Sequence, residues 1–206
     1  MKPKTTKHRV IILPLPIWVV VNAVSLVWQL SRFIYKSFQS ATATDPLPPL
    51  PNKTTHQTDP ACAQMAWLLF AKLNYYRLTL GLPQVVWNEK LEQSSLYHNG
   101  RMIALGEFEH VLSDGVEVWD RITKFGYKYS ACAENLAYWE DPRLTVIELA
   151  ESIHQGWIDS PGHQRNLVGD YHEVGIGVVK QGHRYYATQN FGTPRTVFSG
   201  AMLSAG

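Results

Sequence analysis

The chain has 206 residues and a mass of 23.4 kDa, which suffices for one ordinary domain with an appendage and excludes two large domains. Apolar residues make up 45% of the chain and charged residues 17%, which argues for a packed core and against global disorder. The formal net charge is +2, but residues 1–40 hold six basic side chains and no acidic one. The rest of the chain therefore has 13 basic and 17 acidic side chains, a net charge of −4, which argues against a nucleic-acid-binding domain.

The beginning of the chain has the charge pattern of a membrane-targeting segment. Residues 1–9 are basic, whereas residues 10–31 contain no charged side chain. A helix over residues 10–30 would be roughly 31 Å long at about 1.5 Å per residue, which matches the hydrocarbon core of a bilayer. Four basic residues precede this segment and two follow it, so we expect the N-terminus in the cytoplasm and the rest of the chain outside.

Two roles for residues 10–31 stay open, an uncleaved signal anchor and a signal peptide cleaved after the small residues 41–43. The apolar run is long for a signal peptide, and Arg32 and Lys36 separate it from the small residues, which favours the anchor. A buried core helix is a third, weaker interpretation. Residues 40–60 contain five prolines and five threonines, so we expect an extended linker that holds a domain away from the membrane.

Four helices are predicted in the domain that follows the linker. Side chains that can accept hydrogen bonds from free backbone N–H groups mark the starts, and glycines mark two of the ends. Between these signals, apolar residues recur at spacings of three and four. The predicted helices run from Asp59-Pro60 to Gly81, onward from Asn88, from about Glu117 to Phe125, and onward from Asp141-Pro142.

After the fourth helix the pattern changes to the alternation of β-strands. Val174, Ile176 and Val178 alternate with smaller residues, and a run rich in aromatic residues follows the turn signal at Gln181-Gly182. These two runs predict an antiparallel hairpin. Helices first and strands last predict an α+β domain over residues 61–195, and residues 196–206 are expected to be a frayed tail.

The motifs of several enzyme classes are absent from the sequence. It has no G-x-S-x-G elbow, no phosphate-binding loop, no G-x-G-x-x-G and no C-x-x-C. His172 and Glu173 begin like the zinc motif H-E-x-x-H, but Ile176 stands in place of the second histidine. Among the other histidines, His98 is predicted to pack inside the domain and His154 to point outward.

Two histidines and two glutamates are the candidates for a functional site. Two neutral imidazoles and two carboxylates can bind a divalent metal ion, and a carboxylate can orient or deprotonate water on that ion. Their spacing is not local, so only the fold can bring them together, and an ordinary surface or core histidine is the alternative. The four candidates are His110 between a helix and a turn, Glu134, His163 in a predicted turn, and Glu173 at the entry to the hairpin.

The serial order of many short motifs resembles that of the CAP superfamily, also called SCP. This family includes cysteine-rich secretory proteins, venom allergens and plant pathogenesis-related proteins. The resemblance is closest to the short, cysteine-poor bacterial type, and it covers about 135 of the 206 residues. The motifs are LNYYR (73–77), GLPQVVWNEKL (81–91), FEH (108–110), SDG (113–115), WDRITKFGY (119–127), AENLAY (133–138), GWIDSPGHQRNL (156–167), EVGIGV (173–178) and TQNFG (188–192).

The resemblance implies an α-β-α sandwich with a central antiparallel sheet, preceded here by the predicted membrane helix. It also implies a cavity with two histidines and two glutamates, which can bind a divalent metal ion, often zinc, chiefly through the histidines. Carried over motif by motif, His110 and His163 are the expected metal ligands, and Glu134 and Glu173 are candidate general bases or supporting groups. Ala133 stands where the family usually has glycine.

The two cysteines lie outside the family pattern. In an exported domain, Cys62 and Cys132 can form a disulfide that ties the first helix to the segment around Glu134. The alternative is a reactive thiol near His110 or His163.

Three functions follow as hypotheses. The first is a binding module outside the cytoplasm, with a metal ion in the histidine–glutamate cavity and a lipid, glycan or peptide ligand at the cell surface. The second is a metal-dependent hydrolase of a peptide or cell-envelope substrate, with a glutamate as general base. The third is a structural or interaction module. The resemblance favours the first hypothesis, because the family has no generally accepted reaction.

Overall fold

A computed structural model describes residues 57–195 of the chain. The predicted segments 1–9, 10–31 and 196–206 lie outside the described residues, as does most of the linker. Within the described region, no helix has both the length and the apolar character needed to cross a membrane. The elements in chain order are α1 (Pro60–Thr79), β1 (Val86–Trp87), α2 (Glu89–Leu105), α3 (Val118–Lys124), β2 (Tyr129–Glu140), α4 (Val146–Asp159), α5 (Pro161–Leu167), β3 (Glu173–Gln181) and β4 (Arg184–Pro194).

Local capping chemistry sets the predicted boundaries of the first three helices, and the structure confirms them. The Asp59 carboxylate accepts hydrogen bonds from the backbone of Ala61 and Cys62, and α1 ends just before Gly81. The Asn88 side-chain oxygen likewise accepts from amides in the first turn of α2. Helix α3 begins with a capping box and ends before Gly126.

The fourth helix begins later than the sequence analysis predicted. Thr145, and not Asp141, caps α4 through a capping box with Glu148. The Asp141 carboxylate instead accepts from the backbone and the guanidinium of Arg143 and forms a turn. The segment around His163, predicted as a turn, is the short helix α5.

The sheet has four strands in the order β1-β3-β4-β2. The predicted hairpin of β3 and β4 is confirmed, with its turn at Gly182. Strand β2, which was not predicted, pairs antiparallel with β4 and forms one edge of the sheet. The predicted antiparallel sheet is confirmed for β2, β3 and β4, but the short β1 pairs in parallel with β3, so the sheet as a whole is mixed.

Helices cover both faces of the sheet, which gives the predicted α-β-α arrangement. Val174, Ile176 and Val178 of β3 face a hydrophobic core that they share with α1, α4 and α5. The alternate residues Gly175 and Gly177 face the backbone of α2. His154 of α4 is buried, so the prediction that it points outward is wrong. The prediction that His98 packs inside the domain is confirmed.

Cys62 and Cys132 are both free thiols, so the structure lacks the predicted disulfide. The two side chains belong to different hydrophobic clusters on opposite faces of the sheet. Cys62 belongs to the core beneath α1, whereas Cys132 packs against Leu91 and Ile122 on the side of α2 and α3. A disulfide needs side chains that point toward each other, whereas the Cys132 side chain packs on the face of the sheet opposite the cluster that contains Cys62.

Candidate functional site

The site is built around Glu134, a buried carboxylate on the edge strand β2. Its side chain is only 2% exposed and forms an ion pair with Arg121 of α3, whose Nη2 lies 2.6 Å from Oε2. A buried charge is tolerated when a partner compensates for its lost hydration, and the guanidinium is that partner. The short helix α3 therefore stabilises the carboxylate on the neighbouring strand.

His110 forms a hydrogen bond with the second oxygen of the same carboxylate. Its Nδ1 lies 3.0 Å from Oε1 of Glu134, and its side chain is 54% exposed. Arg121 donates from Nη1 to the backbone oxygens of His110, at 3.0 Å, and Val116, at 2.8 Å. One arginine thus fixes both the carboxylate and the backbone that carries the imidazole.

A third histidine, His98 of α2, lies behind this pair and is fully buried. Its Nε2 is 3.0 Å from the backbone oxygen of Glu109 and 3.8 Å from Oε1 of Glu134. Burial lowers the pKa of His98 more than the nearby carboxylate raises it, so the ring is neutral at pH 7. The sequence predicts packing for His98 and contains no local signal that links it to Arg121. Helical spacing indicates a buried face but not its partners.

The electrostatic balance keeps Glu134 ionised. Burial by itself raises the pKa of a carboxyl group, but the hydrogen bond from His110 and the charge of Arg121 outweigh it, so the pKa of Glu134 is lowered. An ionised Glu134 accepts from His110, which requires that Nδ1 carry the hydrogen. Nε2 is then the ring nitrogen of His110 that faces away from the carboxylate, and it presents a lone pair whenever the ring carries a single hydrogen.

Helix α5 packs against the edge strand β2 and brings His163 into the neighbourhood of His110. The side chain of Asn166 donates to the backbone oxygen of Glu134, at 3.2 Å, and to the side-chain oxygen of Asn135, at 2.8 Å. Asn135 in turn donates to the backbone oxygen of His163, at 3.3 Å. These bonds dock α5 on β2. Burial lowers the pKa of His163, and so does the repulsion between the two rings when both are protonated, which places His163 within electrostatic reach of His110.

Glu173 does not contact these three residues. Its Oε2 accepts from the hydroxyl of Tyr127, at 2.7 Å, and from the side-chain amide of Asn88, at 3.2 Å. In the register of the sheet, Glu173 pairs with Gly192, and Gly192 pairs with Cys132 on the other side. Glu134 lies two residues farther along β2 than Cys132. The structure thus associates His110, Glu134 and His163 and places Glu173 in a separate cleft.

The candidate site offers two of the side-chain ligands that a zinc ion needs, His110 and His163. In the region from residue 57 to residue 195, no group of three or more His, Cys, Asp or Glu side chains is arranged to hold one. His110 and His163 nevertheless offer two imidazoles, and Glu134 orients the first of them as a carboxylate beyond the ligand shell does in zinc proteins. Water or a bound ligand would complete the coordination.

The two free cysteines are unsuited to nucleophilic chemistry. Burial, with a smaller contribution from Asp59, raises the pKa of Cys62 to about 11. Burial and Glu134 also raise the pKa of Cys132. Both thiols are therefore protonated at pH 7, and the thiolate is the nucleophilic form.

A comparison with family models assigns the domain to a known family. Residues 70–191, more than half of the chain, match the model described as CAP, the cysteine-rich secretory protein family. The chain belongs to the CAP family. The resemblance found in its motifs is thereby confirmed, and its CAP domain carries His110, Glu134 and His163 within the matched range. The comparison with curated protein sequences gives no significant match.

Two solved structures show the same CAP fold. An outer surface protein from Borrelia burgdorferi has a TM-score of 0.59 and 19% identity, over 69% of this chain and 100% of that one. An extracellular protein containing an SCP domain from Bacillus anthracis has a TM-score of 0.56 and 23% identity, over 71% of this chain and 45% of that one. This chain thus matches less than half of the B. anthracis protein. At such identities the similarity shows the fold alone.

Proposed function

We propose that this protein is a CAP domain outside the cytoplasm that binds a divalent metal ion, zinc in the first instance, through His110 and His163. The ion and the surface beside it hold a lipid, glycan or peptide ligand of the cell surface. The family description as secretory proteins, the extracellular protein from B. anthracis and the charge pattern of residues 1–31 support this location.

The hydrogen bond between Glu134 and His110 is the observation that carries the proposal. It places a hydrogen on Nδ1, so Nε2 of the half-exposed ring is the nitrogen available to an external partner. Zinc would supply a positive charge that attracts oxygen atoms of a ligand. The protein residues orient the first imidazole and hold the second, whose pKa is lowered, on α5 at the edge of the sheet.

A hydrolase is less well supported, because neither glutamate is placed as a general base. Both oxygens of Glu134 are occupied, by His110 and Arg121, and the pKa of Glu134 is lowered, which makes it a weak base. Glu173 accepts hydrogen bonds in a different cleft. A purely structural role is the remaining alternative, and the half-exposed imidazole of His110 argues against it, since a structural histidine is ordinarily enclosed.

Zinc titration by calorimetry on the full chain in detergent tests the metal site. We expect one zinc ion per chain, no binding in the double variant His110→Ala/His163→Ala, and binding weakened about 10- to 100-fold in Glu134→Gln. His183→Ala is the matched control, because it removes an exposed imidazole at the hairpin turn and should leave binding unchanged.

Equal zinc affinity in the double variant and the wild type would overturn the metal site. If the metal site holds, a panel of envelope lipids, glycans and peptides is titrated with and without zinc. Saturable binding that requires zinc supports the binding module, whereas zinc-dependent turnover of a panel member that is lost in Glu134→Gln would favour the hydrolase.

A further inference from the structure

The cleft around Glu173 lies apart from the histidines and has a composition that the proposed metal site does not explain. It has a volume of about 320 Å³, at the lower end of the range for small-molecule sites. The residues that line it include Asn88, Lys90, Tyr127, Lys128 and Glu173. Two positive charges and one negative charge thus line one small cleft.

The Glu173 carboxylate is held in a fixed orientation by donors that are themselves fixed. The side-chain oxygen of Asn88 accepts from the first turn of α2, which directs its NH2 group toward Glu173. Tyr127 is buried, and both burial and the hydrogen bond to Glu173 raise its pKa, so its hydroxyl stays a donor. A Cβ atom at Gly192 would overlap the Tyr127 ring, so glycine there makes room for the tyrosine.

Both of these donors bind the same oxygen, Oε2. Among residues 57–195, no hydrogen bond reaches Oε1 of Glu173, and no Lys, Arg or His lies within ion-pairing distance of the carboxylate. A half-buried carboxylate with one oriented, unbonded oxygen is suited to accept from a cation.

The two lysines supply the opposite charge in the same cleft. Lys90 is held there because its Nζ donates to the backbone oxygen of Gly126, at 3.1 Å, and two of its three N–H groups stay available. Lys128 follows Tyr127 directly, and its side chain is exposed. Because the two ammonium groups exceed the one carboxylate, a ligand that is only a cation would be repelled, and one that is only an anion would leave Oε1 unused.

We propose that this cleft binds a small zwitterion, with its ammonium group on Oε1 of Glu173 and its anionic group between Lys90 and Lys128. Both an α-amino acid, free or at the end of a peptide, and a phosphoethanolamine group have this chemistry. The site does not depend on the metal site, which lies around Glu134.

Ligand-observed NMR titrations of the full chain in detergent test this proposal, with L-alanine and O-phosphoethanolamine as zwitterions. Acetate, inorganic phosphate and ethylamine serve as single-charge probes. We expect at least one zwitterion to bind saturably and about tenfold or more tightly than any single-charge probe, since charge-assisted hydrogen bonds form at both of its ends. Which of the two binds more tightly identifies the source of the ligand.

Two variants and one control locate the binding. Glu173→Gln removes the charge but still accepts from Tyr127 and Asn88, and Lys128→Gln changes an exposed side chain, so both variants are expected to fold. Each should weaken zwitterion binding about tenfold. Lys124→Gln is the control, because Lys124 lies over the ring of Tyr97, not in the cleft, and this variant should bind like the wild type.

Three results would overturn the proposal: no saturable binding of either zwitterion, acetate or phosphate binding as tightly as the zwitterions, or unchanged binding in Glu173→Gln. Zinc titration of Glu173→Gln separates this site from the metal site, since that variant should bind zinc like the wild type whatever happens to zwitterion binding.

Discussion

At the scale of single residues, the buried charge of Glu134 organises the candidate site. Arg121 compensates that charge, and His110 takes up the remaining oxygen. Two atoms in this group have no hydrogen-bond partner among the described residues, Nδ1 of His98 and Nε of Arg121. The group is thus incompletely satisfied, and its stability depends on the strong contact between Arg121 and Glu134.

Loss of the arginine should therefore be costly. We expect Arg121→Met to lower the free energy of unfolding by about 3–5 kcal/mol, because it leaves the Glu134 carboxylate buried without a countercharge. Urea denaturation at pH 7 measures this effect. Arg143→Met is the control, since its ion pair with Asp141 is exposed, and it should cause no measurable change. Equal effects of the two substitutions would contradict this account of the site.

His154 predicts a loss of stability in acid. It is buried in α4, its Nδ1 has no hydrogen-bond partner within residues 57–195, and burial together with the charge of Lys72 lowers its pKa from 6.5 to about 4. Between these values the unfolded chain binds a proton that the folded chain does not, so falling pH favours unfolding. The stabilisation is complete above about pH 6.5 and is lost as the pH falls to about 4.

Urea denaturation at several pH values tests this prediction. From pH 7 to pH 4 the wild type should lose about 3 kcal/mol more stability than His154→Gln, because a shift of one pKa unit corresponds to about 1.4 kcal/mol. His98 and His163 also have lowered pKa values, so the variant keeps part of the pH dependence. Identical pH profiles of the two proteins would show that His154 does not cause the acid sensitivity.

At the scale of elements, the close approach of α2 to β3 positions the site. Gly175 and Gly177 lie directly beneath the helix, whose Ser95 and Asn99 side chains donate to the backbone oxygens of these glycines at 3.0 and 2.9 Å. This contact holds α2, and with it His98, against the sheet. Glycine is needed here for space and not for an unusual backbone angle.

A methyl group in this interface should separate the two elements. In Gly175→Ala, the new Cβ would overlap the backbone of Leu91 and Glu92, and we expect a destabilisation of about 3 kcal/mol, the upper part of the range for overpacked cores. Gly100→Ala is the matched control on the exposed side of α2 and should stabilise the protein by about 0.5–1 kcal/mol. Thermal or urea unfolding measures both, and a neutral Gly175→Ala would contradict the close packing.

At the scale of the whole molecule, the sequence before the domain bears on where the site works. Residues 1–31 carry the charge pattern of a segment that inserts with its N-terminus in the cytoplasm. The proline-rich residues 40–60 then separate this segment from the domain. In this proposed arrangement the metal site and the zwitterion cleft are both available to ligands outside the cytoplasm.

Fractionation of cells that produce the full chain tests this location. We expect the protein to stay in the membrane after an alkaline carbonate wash and to be degraded by protease added from outside, because the sequence of residues 10–31 predicts an anchor with the domain outside. A released chain that begins after Ala43 would show instead that the segment is a cleaved signal peptide. Full-length protein in the soluble cytoplasmic fraction would contradict both arrangements.

The sequence by itself determined the parts of the fold that depend on local chemistry. Asp59 and Asn88 cap their own helices, and Gly182 turns the hairpin, so neighbouring residues suffice to predict α1, α2 and the β3–β4 pair. The histidines and Glu134 were found through motifs whose order along the chain is typical of a family.

Only the tertiary structure decided what depends on contacts between distant residues. Strand β2 has no clear strand pattern in the sequence, because its polar residues are satisfied by α3, α5 and β4 and not by their neighbours. Glu173 fits the motif pattern, but its partners come from the segments before α2 and before β2, so the structure assigns it to another cleft. The ion pair of Arg121 with Glu134 likewise has no local signal, because packing alone brings the two side chains together and removes the water that would otherwise screen them.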